Sequence, residues 1–271
     1  MWALRGLRNG VLTTRWPARP DDYAASTRGP ATVLAAGRQP PAQNGQASLA
    51  WLCPAGAISQ DGRGAVALDQ GRCIQCGRCV AARPDLFGWQ HGPGRAALTR
   101  PGLVVPPAAE TAEALAQVRD GLRARTRALR RSVHLRHVDA GSDGSEEWEI
   151  LALLNPVYDI HRLGMFFTAS PRHADVLLVT GAGTTGMTEP LRQTYDAMPH
   201  PKVVIAIGTG AVSGGLAGPS LGDPPSAADS GIGGIVPVDV WLPGSPPSPF
   251  SILAALLLAL GRLPASEGGS R

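Results

Sequence analysis

The spacing of the cysteines constrains this chain more than any other feature of its sequence. All four lie between positions 53 and 79, and three of them form the run Cys73-Ile-Gln-Cys76-Gly-Arg-Cys79. The fourth, Cys53, is followed directly by Pro54. Three thiols separated by two residues indicate a metal site rather than a disulfide framework, and they imply a reducing compartment.

The motif CxxCxxCxxxCP explains why these four cysteines remain as a set. In proteins with two such motifs, the last cysteine of each motif binds the cluster held by the other motif. The downstream motif has Arg83 in its last position, and the upstream motif keeps only its last cysteine. The other three upstream positions are Gln43, Gln46 and Leu49. The surviving cysteines are therefore one complete ligand set for a single [4Fe–4S] cluster: Cys53, Cys73, Cys76 and Cys79. A four-cysteine zinc site is the alternative, because zinc also takes tetrahedral thiolates.

Composition excludes several classes of protein. The longest apolar run, residues 252–260, is about half the length of a membrane-spanning helix. Seven of the arginines lie between positions 119 and 136, but only 5% of the residues are aromatic and none interleaves with these arginines. Nucleic-acid binding therefore has little support. We interpret the arginine run as the solvated face of a helix over residues 107–131.

The second half of the chain alternates short apolar strands with helices. Strands are predicted at residues 133–138, 175–180 and 203–207, and helices at 147–155, 190–197 and 251–263. The strand at residues 175–180 is a nearly continuous apolar run, as expected when both faces of a parallel sheet are covered. This pattern predicts a small α/β domain, with functional loops at the carboxyl ends of its strands.

Several segments of the first half, two of which contain the cysteines, resemble a known family. Residues 6–17, the Arg28-Gly29 arm and residues 52–58 and 71–79 resemble the two-cluster ferredoxin subunit of respiratory complex I and of formate hydrogenlyase. The resemblance implies an α+β, ferredoxin-like N-terminal domain whose first segment lies against a membrane arm. It accounts for the arginine-rich, amphipathic start better than the alternative of a mitochondrial presequence does.

The second half resembles a different subunit of the same complexes. The blocks that are similar to the small, cluster-bearing subunit of complex I and of membrane-bound [NiFe] hydrogenases are residues 138–142, 147–150, 170–181, 195–199, 201–208, 213–215 and 236–244. The resemblance implies a flavodoxin-like α/β domain, a large hydrogenase-like partner subunit and membrane-arm subunits. The chain thus resembles a fusion of two neighbouring electron-transfer subunits.

The second half departs from this family where the terminal cluster would be bound. The positions that carry cysteine in the hydrogenase-type branch are occupied here by Asp143, Glu146, Gly210 and Ser245. None of these supplies a thiolate, so we predict that this half holds no iron–sulfur cluster. Asp143 and Glu146 could instead ligate a hard cation, although carboxylates that pair with arginine or water are the simpler explanation.

Other motifs in the second half give weaker signals. Residues 181–186 fit G-x-G-x-x-G between a strand and a helix, but the acidic residue expected after the next strand is missing, so no dinucleotide is predicted. The remaining candidates for proton chemistry have no partner at a useful spacing. They are His161, Arg162, His173 and Asp175. We predict no catalytic residue in this chain.

These observations predict five segments: an N-terminal segment and arm (1–36), a ferredoxin-like domain with one [4Fe–4S] cluster (37–91), a linker and basic helix (92–132), the α/β domain (133–264) and a disordered tail (265–271). The resemblance implies a peripheral electron-transfer subunit of an oxidoreductase related to complex I and [NiFe] hydrogenase, at the cytoplasmic face of the membrane. The alternative is a structural subunit that still docks the large subunit after losing its terminal cluster.

Overall fold

The computed structural model describes residues 2–34, 49–62, 64–106, 112–129, 132–216 and 231–263. Positions 43 and 46 of the degenerate upstream motif and the predicted tail at 265–271 lie outside these residues. None of the described helices combines the length and the hydropathy that a membrane span requires.

The chain begins with a helix and an extended arm. Helix α1 spans Trp2–Asn9, helix α2 spans Asp22–Ser26, and strand β1 spans Arg28–Val33. The side chain of Asp21 caps α2 by accepting the backbone N–H groups of Tyr23 and Ala24. The arm between the two helices crosses to the second half of the chain, where the Thr14 N–H donates to the Val157 carbonyl at 2.8 Å.

The cysteine-bearing half is built from short antiparallel strands. These strands are β2 (Ile58–Gln60), β3 (Val66–Asp69), β4 (Phe87–His91) and β5 (Val104–Val105). β1 pairs with β4, and β3 lies between β2 and β5 in a second sheet. Helix α3 (Arg78–Ala82) precedes β4. Leu68 and Phe87 belong to the hydrophobic core of this half, together with the thiols that line it. The ferredoxin-like assignment of this half stays a prediction.

Five parallel strands form the sheet of the second half. They are β6 (Val133–Asp139), β7 (Met165–Phe167), β8 (Val176–Thr180), β9 (Val203–Ile207) and β10 (Val240–Leu242). Their order across the sheet is β7-β6-β8-β9-β10. Counted within this half, the order is 2-1-3-4-5, which is the flavodoxin-like arrangement. The predicted α/β domain with a small parallel sheet is therefore confirmed.

Helices cover both faces of this sheet, which is why β8 and β9 are buried along their whole length. The helices are α4 (Ala112–Thr126), α5 (Ser145–Ala152), α6 (Thr185–Ala197), α7 (Gly208–Ser213) and α8 (Pro249–Ala259). Helix α6 begins five positions earlier than predicted, and Pro190 lies inside it. The prediction placed this proline in the first helical position, where its missing N–H costs nothing. The structure instead accepts the loss of one helical hydrogen bond.

The two halves are joined by backbone pairing as well as by side chains. Ala97, inside the segment predicted as a linker, forms an antiparallel bridge with Trp241 of β10. Its N–H donates to the Trp241 carbonyl at 2.9 Å, and the Trp241 N–H donates back at 2.8 Å. Part of residues 92–106 therefore extends the sheet of the second half, while β5 belongs to the sheet of the first.

Candidate functional site

Tight turns present the four cysteines. Cys53 follows a 3₁₀ turn at Leu49–Leu52, and Cys73 follows another at Gln70–Arg72. Cys79 lies in α3, and Cys76 lies in the loop before it. This loop needs Gly77, because its φ is +79° and a Cβ there would lie 3.1 Å from the Trp89 ring.

The four thiols are free, and three of them border one apolar core. Cys73 and Cys79 are buried, Cys53 is half-buried and Cys76 is exposed. Cys53, Cys73 and Cys79 pack in the same cluster as Phe87. A site of this kind shields bound sulfur ligands from water on one side while Cys76 remains at the surface.

Burial raises the pKa of Cys73, and the neighbouring thiols of Cys53 and Cys76 raise it further. Burial is also the main cause of the raised pKa of Cys79, to which the Cys73, Cys53 and Cys76 thiols add. Cys79 is therefore affected by the charge of the other three thiols, and Cys73 by that of Cys53 and Cys76. Four thiolates could share this space only if a cationic centre compensated their repulsion.

Backbone N–H groups point at the sulfur atoms. The Ala57 N–H donates to Cys53 Sγ at 3.2 Å. The N–H groups of Ala31 and Gln75 lower the pKa of Cys73 by hydrogen bonding, against the larger effect of burial. Hydrogen bonds to the sulfurs are one of the means by which a protein sets the potential of an iron–sulfur centre.

A buried polar layer holds the turn that precedes Cys73. Gln70 is completely buried, and its Nε2 donates to the Ala31 carbonyl at 3.1 Å and to Gln90 Oε1 at 3.0 Å. Arg100 makes two parallel hydrogen bonds to the Asp69 carboxylate at 2.8 and 2.7 Å. This layer fixes the turn by bonds from three other segments, so the position of Cys73 is set before any ligand binds.

No group of three or more His, Cys, Asp or Glu side chains in the described part of the chain is arranged to hold a metal ion. The fit of the cysteines to an iron–sulfur cluster therefore depends on the chemistry of the donors. Four free thiols, mutual electrostatic effects and N–H groups directed at sulfur are the features that such a cluster requires.

The four positions of the predicted empty site lie at the carboxyl ends of the parallel strands. Asp143 follows β6, Glu146 is in the first turn of α5, Gly210 is in α7, and Ser245 follows β10. Asp143 accepts hydrogen bonds from the Ser145 N–H at 3.0 Å and from its hydroxyl at 2.6 Å, which lower its pKa. Asp143 therefore has local partners for its charge.

Glu146 fills space at this edge of the sheet. Its side chain is only 6% exposed, and burial raises its pKa, with smaller contributions from Asp143 and Glu147. Gly208 has a φ of +90°, and a Cβ on it would lie 2.3 Å from Glu146 Oε1. The carboxyl group therefore packs directly against the glycine that begins α7.

A single hydroxyl group connects the two candidate sites. Thr209 Oγ1 lies 3.0 Å from the Cys73 carbonyl and 3.1 Å from the Gly244 carbonyl, and the residue is buried. No feature of the sequence predicts this contact, because Thr209 and Cys73 are far apart in the chain and Thr209 is not part of a recognised motif. The cysteine loop thus lies against the edge of the sheet that contains the predicted empty site.

A hydrogen-bonded network beside this edge also went unpredicted. Thr180 Oγ1 donates to Glu147 Oε1 at 2.5 Å and lies 3.0 Å from His137 Nε2. The Ser142 hydroxyl donates to the other Glu147 oxygen at 2.9 Å. Burial lowers the pKa of His137, against the opposing effects of the Glu147 and Asp139 carboxylates.

The glycine motif at 181–186 has a packing role in the structure. Gly181 has a φ of +83°, and a Cβ on it would lie 2.5 Å from the Gly141 carbonyl carbon. The loops that follow β6 and β8 therefore approach more closely than any side chain would allow.

The side chains considered for proton chemistry lie apart from both candidate sites. His161 stacks on Phe166 at 5.3 Å between ring centroids. Asp175 accepts the His134 N–H at 2.8 Å, which ties together the starts of two strands. His173 belongs to a 3₁₀ turn before β8, and Arg162 donates to the Trp16 carbonyl of the N-terminal arm.

The second half of the chain matches a described protein family. Residues 144–259 match the family of the NADH ubiquinone oxidoreductase 20 kDa subunit. This range contains α5 to α8 and four of the five parallel strands. The match begins well after the cysteine-bearing half.

Curated relatives agree with this match. The chain is 41% identical over 133 residues to the probable membrane-bound hydrogenase subunit mbhJ of Pyrococcus furiosus, covering 49% of this chain and 77% of the relative. It is 39% identical over 135 residues to formate hydrogenlyase subunit 7 of Escherichia coli, covering 50% of this chain and 51% of that relative. It therefore spans only about half the length of the second protein.

Among solved structures, the chain is similar to a subunit of the membrane-bound sulfane sulfur reductase, an archaeal respiratory membrane complex. The identity is 27% and the TM-score 0.42, over 51% of this chain and 74% of that one. The family assignment depends on the sequence comparisons and not on this structure. They support the predicted relation to the 20 kDa-type subunit. By its second half, the chain belongs to the family of the NADH ubiquinone oxidoreductase 20 kDa subunit.

Proposed function

We propose that this chain is the electron-transfer subunit of an oxidoreductase complex related to membrane-bound hydrogenase and complex I, with one [4Fe–4S] cluster. The observation that carries the proposal is the set of four free thiols, in which buried Cys79 is affected electrostatically by the other three and buried Cys73 by Cys53 and Cys76. The expected ligands are Cys53, Cys73, Cys76 and Cys79. When bound, such a cluster supplies one-electron transfer.

The residues around the cysteines have separate roles in this proposal. The apolar core around Phe87 excludes water from Cys73 and Cys79. The Ala57 N–H offsets negative charge at Cys53. Cys76, which is exposed, supplies the surface at which a partner can approach most closely. Chemistry on hydrogen, formate, quinone or another substrate would belong to a partner subunit, since the relatives are named as subunits of larger complexes.

The partners proposed are a hydrogenase-like or complex I-like large subunit and membrane-arm subunits. The family assignment of the second half supports them. In this proposal the protein is peripheral, at the cytoplasmic face of the membrane. The cysteine-bearing half is proposed to be the ferredoxin-like part of a fusion.

Iron and acid-labile sulfide in the anaerobically purified protein test the cluster directly. About four of each per chain are expected for one cubane. About eight would show that the second half also binds a cluster, and zinc without sulfide would show the alternative cysteine site.

A second function is favoured by the four replaced positions at the carboxyl ends of the strands. Without thiolates there, the α/β half could serve as a scaffold that docks the large subunit but receives no electrons. Electron paramagnetic resonance of the purified complex distinguishes the two functions. A reduced-cluster signal that appears and disappears during turnover supports electron transfer, whereas a signal that does not respond to substrate supports the scaffold.

A further inference from the structure

An arginine-lined cleft lies on the side of the α/β half where α4 and α8 end. The cleft has a volume of about 430 Å³. Its lining residues are Arg123, Arg127, Leu260, Gly261 and Arg262. A narrow recess continues from it, sharing Arg123 and Gly261 and adding Arg119 together with apolar side chains. None of the cysteines and none of the positions 143, 146, 210 and 245 lines either space.

Two of the arginines that line this cleft carry charges that are unpaired within the described residues. Within the described part of the chain, no carboxylate forms an ion pair with Arg123 or Arg127. The Nε of Arg119 is buried and has no hydrogen-bond partner among the same residues. Like charges held together repel each other, and a buried N–H without a partner costs free energy. Both effects favour an anion as a ligand.

Contacts with neighbouring residues direct two of these arginine side chains. Arg262 Nη1 donates to the Leu163 carbonyl at 2.6 Å, which directs this side chain from the end of α8. Gly261 has a φ of +64°, and a Cβ on it would lie 3.2 Å from Arg123 Cγ. The glycine therefore ends α8 and also lets the stem of Arg123 cross it. Binding a ligand therefore costs less conformational entropy, because Arg262 and the stem of Arg123 are already ordered in the folded protein.

We propose that this cleft binds the phosphoryl group of a phosphate-bearing ligand. Planar guanidinium groups donate pairs of hydrogen bonds that match the geometry of phosphate oxygens. The two charges of Arg123 and Arg127 exceed what a single carboxylate can neutralise, whereas a phosphoryl group carries up to two negative charges. Leu260 and the apolar recess beside it would contact the remainder of the ligand.

Titration calorimetry of the full-length protein with inorganic pyrophosphate tests the charge recognition. Replacing both Arg123 and Arg127 by alanine should weaken binding about tenfold or more, because each lost charge-assisted contact has roughly that effect. Both side chains are exposed, so the fold should survive, which circular dichroism would verify. The matched control is the double variant Arg172→Ala with Arg192→Ala, which removes the same two charges from exposed positions outside the cleft and should leave binding unchanged.

A double replacement by lysine separates charge from geometry. Lysine keeps the positive charge but cannot form the bidentate contact, so the affinity should fall between those of the wild type and the alanine variant. Raising the salt concentration should weaken pyrophosphate binding to the wild type more than to the alanine variant.

Vesicle cosedimentation distinguishes a lipid phosphate from a soluble one. Vesicles of phosphatidylcholine with phosphatidylglycerol are compared with vesicles of phosphatidylcholine alone, using the wild type, the alanine variant and the control variant. Binding to the anionic vesicles that depends on Arg123 and Arg127 identifies a lipid headgroup, and pyrophosphate binding alone identifies a soluble ligand. The proposal is overturned if the wild type binds neither probe, or if the alanine variant binds as the wild type does.

Discussion

The hydroxyl group of Thr209 lies 3.0 Å from the backbone carbonyl of Cys73, so the first residue of the cysteine run is tied to the α/β half of the chain. Thr209 belongs to α7, whose first residue, Gly208, packs against Glu146. A proposed cluster ligand and the predicted empty site are therefore in contact through one helix. We expect changes on either side of this contact to affect the other.

Replacing Thr209 with valine should loosen this contact. Valine preserves the shape of the side chain but leaves the Cys73 carbonyl without this donor, so the free energy of unfolding should fall by about 1–2 kcal/mol. The Gly244 carbonyl still accepts a hydrogen bond from the Thr209 backbone N–H, at 2.7 Å, because the substitution leaves the backbone unchanged. Thr209→Ser retains the hydroxyl, so its free energy of unfolding should fall much less than that of the valine variant. Equal denaturation midpoints for the valine and serine variants would contradict a role for this hydrogen bond.

The proposed ligand set predicts a contrast between two substitutions. Cys76→Ser should greatly reduce the iron and sulfide content of the purified chain, because a serine hydroxyl is a poor substitute for a thiolate on iron. Ser245→Ala should leave both contents unchanged, since position 245 belongs to the predicted empty site. Iron loss in the alanine variant would assign a cluster to the second half.

Glu146 should make stability depend on pH in a direction opposite to that of most carboxylates. Burial raises its pKa above the ordinary value of 4.5, so its contribution is fully present below that value and is lost as the pH rises through the raised pKa. Glu146→Gln, which stays neutral, should gain stability relative to the wild type as the pH increases. Urea unfolding of both proteins at a series of pH values measures this difference. A difference that stays constant with pH would show that Glu146 is not perturbed.

Gly208→Ala should be strongly destabilising for two reasons. The left-handed φ of +90° disfavours any side chain, and the new Cβ would lie 2.3 Å from Glu146 Oε1. Together these should cost about 2 kcal/mol or more. Shortening the acid in the double variant Gly208→Ala with Glu146→Ala should recover part of that loss. A double-mutant cycle measures the coupling, and strictly additive effects would contradict the close contact.

The positions of β8 and β9 were predictable because each of these buried strands coincides with a run of apolar residues. β8 and β9 begin and end within one residue of their predicted bounds, since both faces are covered and every position must be apolar. The start of α6 was not predictable in the same way. Pro190 suggested a helix start by local preference, whereas packing of the preceding residues decided the actual one.

The candidate sites were likewise predictable in part, because some of their features are local in the sequence and others are not. Cysteine spacing and the non-cysteine residues at positions 143, 146, 210 and 245 are local facts, so sequence alone led to one proposed cluster and one predicted empty site. The arrangement around them depends on contacts between distant segments. The bond from Thr209 to Cys73 and the packing of Glu146 on Gly208 are two such contacts.

By itself, the sequence determined the chemical character of this protein: which thiols are present, where they are absent, and that a covered parallel sheet follows them. Only the tertiary structure decided that the cysteine loop lies against the carboxyl edge of that sheet and that arginines from two helices line one cleft. The reason is physical: apolar periodicity and ligand spacing are properties of neighbouring residues. Burial, raised pKa values and unbalanced charge instead arise when segments far apart in the chain pack together.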